Sequence, residues 1–213
     1  MPGLVEKRSE MKLKLPDGPF KAYLFDCDGT IADSMPLHYV AWKKALGEHG
    51  CEFPEDVFYA WGGMPTVQIV ETLGAQQGIA MNAEEVAHRK ELLYYELLPQ
   101  LQAVPEVLEQ IELNWSLGAG RLPMAVVSGG NRESVTNSLR TLGLLDRFET
   151  LVCSEDYTKG KPDPEPFLVA ARRLGVVPAD CLVFEDTEMG IEAATAAGMA
   201  SVKIAQPWER ALR

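Results

Sequence analysis

Apolar positions along the chain fall into two rhythms. Five short runs are largely apolar, and the first four end in a polar or acidic residue: KAYLFD (21–26), PMAVVS (123–128), TLVCSE (150–155), CLVFED (181–186) and MASVKI (199–204). Runs of this length and composition predict buried strands. Between them lie three stretches with helical spacing: NRESVTNSLRTLG, PEPFLVAARRLG and TEMGIEAATAAG. Each ends in glycine, a frequent terminator of helices. Strands that alternate with helices predict an α/β fold: a Rossmann-like parallel sheet core with helices on both faces.

Two regions depart from that rhythm. Residues 1–19 are polar, with Pro2, Pro16 and Pro19, and read as a loose N-terminal arm. From 34 to 104 no convincing strand appears. MPLHYVAWKKALGEHG, TVQIVETLGAQQG and AEEVAHRKELLYYELL all carry helical periodicity, punctuated by Pro54, Gly62, Gly63 and Pro65. The division expected is an arm over 1–19, a catalytic core from 20–33 and 105–213, and a small α-helical cap over 34–104. A helical extension packed permanently on the core is the plainer alternative. A cap is preferred because both of its joints fall beside the residues that carry the chemistry. There is no internal repeat and no low-complexity segment.

Charge narrows the function. Of 213 residues, 20 are Lys or Arg and 31 are Asp or Glu, for a net charge of -11. Nucleic acid and membrane surfaces would repel such a chain. A phosphate ligand remains possible if cations, backbone amides or a metal are gathered locally. Cys27, Cys51, Cys153 and Cys181 form no C-x-x-C pair and no zinc-ligand spacing. They read as buried free thiols of a reducing compartment. The first eighteen residues lack the apolar core of a signal peptide, and no apolar run reaches membrane-spanning length. A cytoplasmic enzyme, a monomer or weak homo-oligomer, is expected.

In an open parallel sheet, ligands bind beyond the carboxyl ends of the strands. Asp26 stands at the first such end, followed by Cys27, Asp28, Gly29 and Thr30. Ser128 ends the second run before Gly129 and Gly130, and Glu185 and Asp186 end the fourth. Carboxylates brought that close repel one another unless a positive charge intervenes. Mg²⁺ is the usual hard cation where phosphate is bound. An aspartate at a strand end can act as a nucleophile, and a second acid two residues on can serve as general acid and base. Lys161, in GKPDP, can hold phosphate charge. Each signal has a bland alternative: an Asx turn at DCDGT, a helix N-cap at Ser128, a solvated lysine, and helix-capping acids at Glu185 and Asp186. Their order along one sheet edge is what gives them weight together.

With these residues in place, the sequence resembles the haloacid dehalogenase superfamily. FDCDGT, VVSGG, KGKPDP and FEDTEMGI match its four motifs in order, and the likeness runs from about 21 to 204. The resemblance implies Asp26 as nucleophile and Asp28 as general acid and base. It implies Mg²⁺ held by Asp26, the Asp28 carbonyl and Asp186, with Glu185 as a further ligand or a supporting group. Ser128, Lys161 and the amides of Cys27, Asp28 and Gly129 would bind the phosphoryl group. The helical insertion looks like the family's first type of cap. DSMPLHYVAW is similar to the β-phosphoglucomutase-like branch. There His38 and Trp42 lie one turn apart, either at the site or simply packing the hinge, with packing favoured for Trp42.

Within that branch, mutases carry an arginine on the cap loop for a second phosphate. Here WGGMPTVQI places Thr66 at about that position, which resembles the fructose-1-phosphatase-like members. Arg89 and Lys90 can supply cationic contacts to substrate, or form a solvated helix face. The expected activity is hydrolysis of small phosphomonoesters, sugar phosphates first, through an aspartyl-phosphate. A phosphosugar mutase is the alternative, and a non-catalytic phosphate-binding protein a more distant one.

Overall fold

A computed structural model describes residues 13–62, 64–207 and 209. Five strands form one parallel sheet: β1 (Ala22–Phe25), β2 (Met124–Val127), β3 (Thr150–Val152), β4 (Cys181–Glu185) and β5 (Ala200–Lys203), in the order β3-β2-β1-β4-β5. All five lie within the predicted runs. The runs are continuously apolar because side chains alternate between two buried faces. Phe25, Met124, Val126, Leu182 and Phe184 enter one core, while Ala22, Leu24, Ala125, Val127, Cys181 and Val183 enter the other. Phe25 stacks on Phe184 across the β1–β4 pair, with ring centroids 4.4 Å apart.

Helices α5 (Pro105–Ser116) and α6 (Arg132–Thr141) supply Val107, Ile111, Val135 and Leu139 to the first face. Helices α7 (Glu165–Leu174) and α8 (Glu188–Ala196) supply Phe167, Ala170, Ala193 and Ala194 to the second. The glycines expected to end α6, α7 and α8 all take positive φ: 69° at Gly143, 69° at Gly175 and 73° at Gly198. That geometry is cheap for glycine alone.

Between β1 and α5 the chain forms α1 (Met35–Gly47), α2 (Glu55–Ala60), α3 (Thr66–Gln77) and α4 (Ala83–Leu97). They enclose a third core of their own, with Trp42, Leu46, Phe53, Phe58, Val70, Leu73 and Leu93 among its members. The short α2 and the long α5 were absent from the sequence reading. At the other end, Leu13 and Leu15 pack against the first face of the sheet. The described part of the N-terminal stretch is therefore docked rather than loose; residues 1–12 lie outside the described residues. Among the described residues no helix is long and apolar enough to cross a membrane.

Candidate active site

The sheet reverses direction of growth at β1, which has β2 on one side and β4 on the other. The crevice beyond the carboxyl ends of such strands is where ligands bind in open α/β sheets. Asp26 follows β1 directly, and its amide extends the ladder to the Phe184 carbonyl at 2.9 Å. Ser128 follows β2, and Glu185 and Asp186 finish β4. Lys161 reaches this edge from the loop before α7. Its Nζ donates to Asp26 Oδ1 at 2.7 Å, to Glu185 Oε1 at 2.6 Å and to the Val127 carbonyl at 3.0 Å. Burial opposes the ammonium charge, but the Asp26 and Glu185 carboxylates overcome it and raise the Lys161 pKa.

One ammonium faces three acids here. Burial, with repulsion from Glu185 and Asp186, holds the Asp26 pKa well above the usual carboxylate value despite the pull of Lys161. Asp186 is pushed up to about 7 by burial and by Glu185, against Lys161 and the Thr30 hydroxyl. Thr30 Oγ1 donates to Asp186 Oδ1 at 3.2 Å. Gly29 sits against the same carboxylate. Its φ is +87°, and a Cβ there would meet Asp186 Oδ2 at 2.3 Å.

Glu185 is held on both of its carboxylate oxygens. Its Oε1 holds Lys161, and its Oε2 accepts from the Thr187 amide at 2.7 Å and the Thr187 hydroxyl at 2.9 Å. It is only 1% exposed. Both oxygens are engaged within the protein, by Lys161 and by Thr187, which matches the supporting position that was one of its two expected places. Gly190 makes room for it, since a Cβ on Gly190 would fall 1.9 Å from Glu185 Oε1. Thr187 caps α8 by accepting from the Gly190 amide at 3.0 Å. Asn131, not Ser128, caps α6, accepting from Ser134 N at 2.8 Å. Ser128 is thereby left for the site, its Oγ accepting from Gly130 N at 3.0 Å. A Cβ on Gly129 would meet nothing within 4 Å, whereas one on Gly130 would sit 3.3 Å from Ser128 Oγ and 3.6 Å from Asp28 Oδ2. Gly130 therefore lies between Ser128 and Asp28, tight only against the Ser128 hydroxyl.

The helical segment reaches Asp28 from the opposite side. Ser34 Oγ donates to Asp28 Oδ1 at 2.7 Å, and His38 Nε2 lies 3.2 Å from the same oxygen. Burial would raise the Asp28 pKa, but the His38 and Ser34 hydrogen bonds and the Lys90 charge override it and hold it at about 2. Burial and Lys90 push the His38 pKa down, opposed by Asp28. A neutral His38 facing an acceptor carries its proton on Nε2. Its ring stacks on Tyr94 at 3.9 Å, and its Nδ1 is buried without a partner among the described residues. The Tyr94 hydroxyl meets Ser138 Oγ on α6 at 2.9 Å.

The remaining expectations divide. Trp42 is packed in the helical core. Lys90 is buried, with Nζ 5.5 Å from the Trp42 ring centroid, 5.7 Å from that of Tyr94 and 2.8 Å from Glu91 Oε1. Arg89 points away: it makes a two-pronged surface pair with Glu48, so its expected substrate contact is not supported. Thr66 opens α3, and no hydrogen bond among the described residues joins it to Asp26, Asp28 or Lys161. Gly63 of that loop lies outside the described residues. Thr30, Ser34, Thr187, Gly190 and Tyr94 were not singled out from sequence. The spacing of Ser34 and His38, one helical turn apart, was the available signal for the first pair.

A strand-end aspartate clamped by a buried lysine, with a second aspartate facing a glycine-bearing loop, stands at the switch point of an α/β sheet. The chain belongs to the haloacid dehalogenase-like hydrolase family, whose sequence model matches residues 23–204. It is 34% identical over 186 residues to the fructose-1-phosphate phosphatase YqaB of Escherichia coli K12, covering 87% of this chain and 96% of that protein. It is also 34% identical to the β-phosphoglucomutase of Bacillus subtilis, covering 87% and 84%. A β-phosphoglucomutase crystal structure from Clostridium difficile superposes with a TM-score of 0.75 at 23% identity, covering 90% of this chain and 87% of that one, which speaks to the fold.

Proposed function

We propose that this protein is a Mg²⁺-dependent phosphatase of small phosphomonoesters, sugar phosphates foremost, that works through an aspartyl-phosphate on Asp26. The observation that carries this reading is Lys161 bridging Asp26 and Glu185 at 2.7 and 2.6 Å, with Asp28 Oδ2 facing the Ser128–Gly130 loop. The relative named as a fructose-1-phosphate phosphatase supports it.

The residues present fit Mg²⁺ by donor chemistry. Three acids and one ammonium leave a deficit of positive charge at the sheet edge, and the donors are oxygens throughout. Among the described residues no three His, Cys, Asp or Glu side chains converge at metal-binding distance. In this reading Asp26 and Asp186 would hold the ion, with the Asp28 backbone carbonyl as a further oxygen. Bound there, the ion would neutralise phosphoryl charge.

In the cycle, Lys161, Ser128 and the loop amides draw the phosphoryl oxygens toward Asp26. An Asp26 carboxylate oxygen attacks phosphorus in line, and the bond from phosphorus to the ester oxygen breaks. That oxygen takes the proton of Asp28 and leaves as the alcohol. With its pKa at about 2 Asp28 is ionised in the free protein, so the proton it delivers enters with the substrate as that of a monoanionic phosphate ester, and the phosphoryl charge beside Asp28 raises its affinity for that proton. The ionised Asp28 then removes a proton from water. The water oxygen attacks phosphorus, the bond to Asp26 breaks, and inorganic phosphate departs with the aspartate regenerated.

The four-helix segment, with a core of its own, serves in this reading as a cap that excludes bulk water and selects the substrate. A mutase would return the phosphoryl group to a sugar and needs an anchor for a second phosphate, and an uncharged Thr66 is a poor one. Four free, buried cysteines fit a reducing cytoplasm, and a monomer or weak homo-oligomer suffices for the site.

The test is phosphate release from a panel of phosphomonoesters, with Mg²⁺ or chelator, for wild type and Asp26→Asn. Metal-dependent release that drops at least ~10⁴-fold in the variant is expected. Migration of phosphate from C1 to C6 of glucose 1-phosphate without net release would overturn hydrolysis in favour of the mutase.

A further inference from the structure

The helical segment 34–104 carries four Lys or Arg against nine Asp or Glu. Its cations are largely spoken for. Arg89 is paired with Glu48, Lys44 with Glu96 at 3.9 Å, and Lys90 with Glu91 at 2.8 Å, while Lys43 is exposed on the outer surface of α1. Lys90 is the one buried against the catalytic residues: it is 5% exposed, and its charge bears on both Asp28 and His38. Left free, that ammonium would be a ready anchor for an anion on the far side of a substrate from its reacting phosphate.

It is not left free. Glu91 Oε1 takes the Lys90 ammonium, and Glu91 Oε2 accepts from Ser134 Oγ on α6 at 3.4 Å. The carboxylate is thereby fixed between the helical segment and the core, and the pair presents no net charge to a ligand. On the core side, Lys161 is committed to Asp26 and Glu185 and, in turnover, to the phosphoryl group.

We infer that Glu91 sets the charge class of the substrate: by holding Lys90 it selects phosphomonoesters whose remainder is uncharged over those whose remainder bears a carboxylate or a second phosphate. The inference rests on the phosphatase reading above and deepens it. A polyol or sugar monophosphate meets a neutral, hydrogen-bonding wall. A second anion meets a neutral pair inside a net-negative cap, and pays its desolvation with no cation in return.

The experiment compares kcat/KM for glycerol phosphate and fructose 1-phosphate with that for phosphoglycolate and fructose 1,6-bisphosphate, in wild type, Glu91→Gln and Lys90→Met. Where turnover of the anionic esters is too slow, their Ki against fructose 1-phosphate is read instead. Glu91→Gln keeps the shape and uncovers the ammonium, so the ratio of anionic to neutral esters should rise about tenfold, chiefly through KM. Lys90→Met leaves Glu91 uncompensated, so the ratio should fall. A ratio unmoved within twofold in both variants, or a wild type that already prefers the anionic esters, overturns the role of Glu91. Should Glu91→Gln fail to fold, Glu91→Ala, which also uncovers the Lys90 ammonium, decides: a rising ratio upholds the inference and a steady or falling one defeats it. Absence of phosphate release from every ester in wild type would defeat the phosphatase reading and this inference together, whereas release with an unmoved ratio defeats this inference only.

Discussion

The two sides of the site are built on opposite plans. On the sheet side, every strong donor is matched: Lys161 holds three acceptors, Glu185 uses both oxygens, and Thr30 holds Asp186. On the helical side, Ser34 holds Asp28 firmly at 2.7 Å, but the histidine beside it is less well tied. His38 reaches Asp28 at 3.2 Å, leaves Nδ1 buried and unpartnered, and rests on the Tyr94 ring. A fully satisfied buried network is rigid and expensive to disturb, while an under-satisfied one can rearrange at modest cost. The difference suits a division of labour in which the sheet side holds the reacting group still and the helical side adjusts to what is bound.

Breaking the sheet side should be the more damaging. Lys161→Met strands two carboxylates in a site where Glu185 is 1% and Asp26 7% exposed. Losing one partner of a buried ionic cluster costs about 3–5 kcal/mol, measurable by urea unfolding, and phosphate release should fall at least ~10³-fold. Stability lost without activity would separate the lysine from the chemistry. On the helical side, His38→Ala removes one hydrogen bond to Asp28 and should lower kcat by about 10–100-fold. Its folding should be little changed, since an orphaned Nδ1 goes with it. An unfolding loss as large as that of Lys161→Met would refute the contrast.

A cation sharpens the comparison. Asp186 has a folded-state pKa of about 7, above the ~3.9 of an unfolded aspartate. The folded protein therefore binds the extra proton, and this group's stability contribution is greatest below pH ~4 and is lost as pH rises toward 7. In chelator, the melting temperature should be lower at pH 8 than this group alone would give at pH 5.5. Added Mg²⁺ should raise it more at pH 8 than at pH 5.5, because it binds the ionised carboxylates. Equal Mg²⁺ shifts at both pH values would argue against Asp186 as a ligand. The smallest expected effect is Tyr94→Phe, which removes the bond to Ser138 between α4 and α6 and should cost about 1 kcal/mol.

These contrasts also mark what the sequence could convey. The strands were legible because a sheet buried on both faces leaves uninterrupted apolar runs, and the catalytic acids because they stand where those runs stop. Helix α2 was not, being six residues after Pro54 with little room for a period to show. Arg89 and Lys90 are adjacent, yet one is a surface pair and the other is buried at the site. About 100° of helix separates neighbouring side chains, and which of them turns inward depends on how α4 packs on α1. For Glu185 the sequence leaves a metal ligand and a supporting group both open; that its oxygens are engaged by Lys161 and Thr187 is a matter of tertiary geometry. Gly190 looked like any residue of a helix until a side chain was placed against it.

Placing the nucleophile on the central strand has a consequence for how the protein is made. Asp26 emerges early in synthesis, but Lys161 follows it by 135 residues, and Asp186 follows Thr30 by 156. Neither flank of β1 can be paired until β2 and β4 have been translated. Contacts so distant along the chain close late in folding. A growing polypeptide thus holds Asp26 and the helical segment well before it holds Lys161, Glu185 or Asp186. The contacts that join Lys161 to Asp26 and Glu185 therefore wait for the part of the chain that carries the lysine and β4.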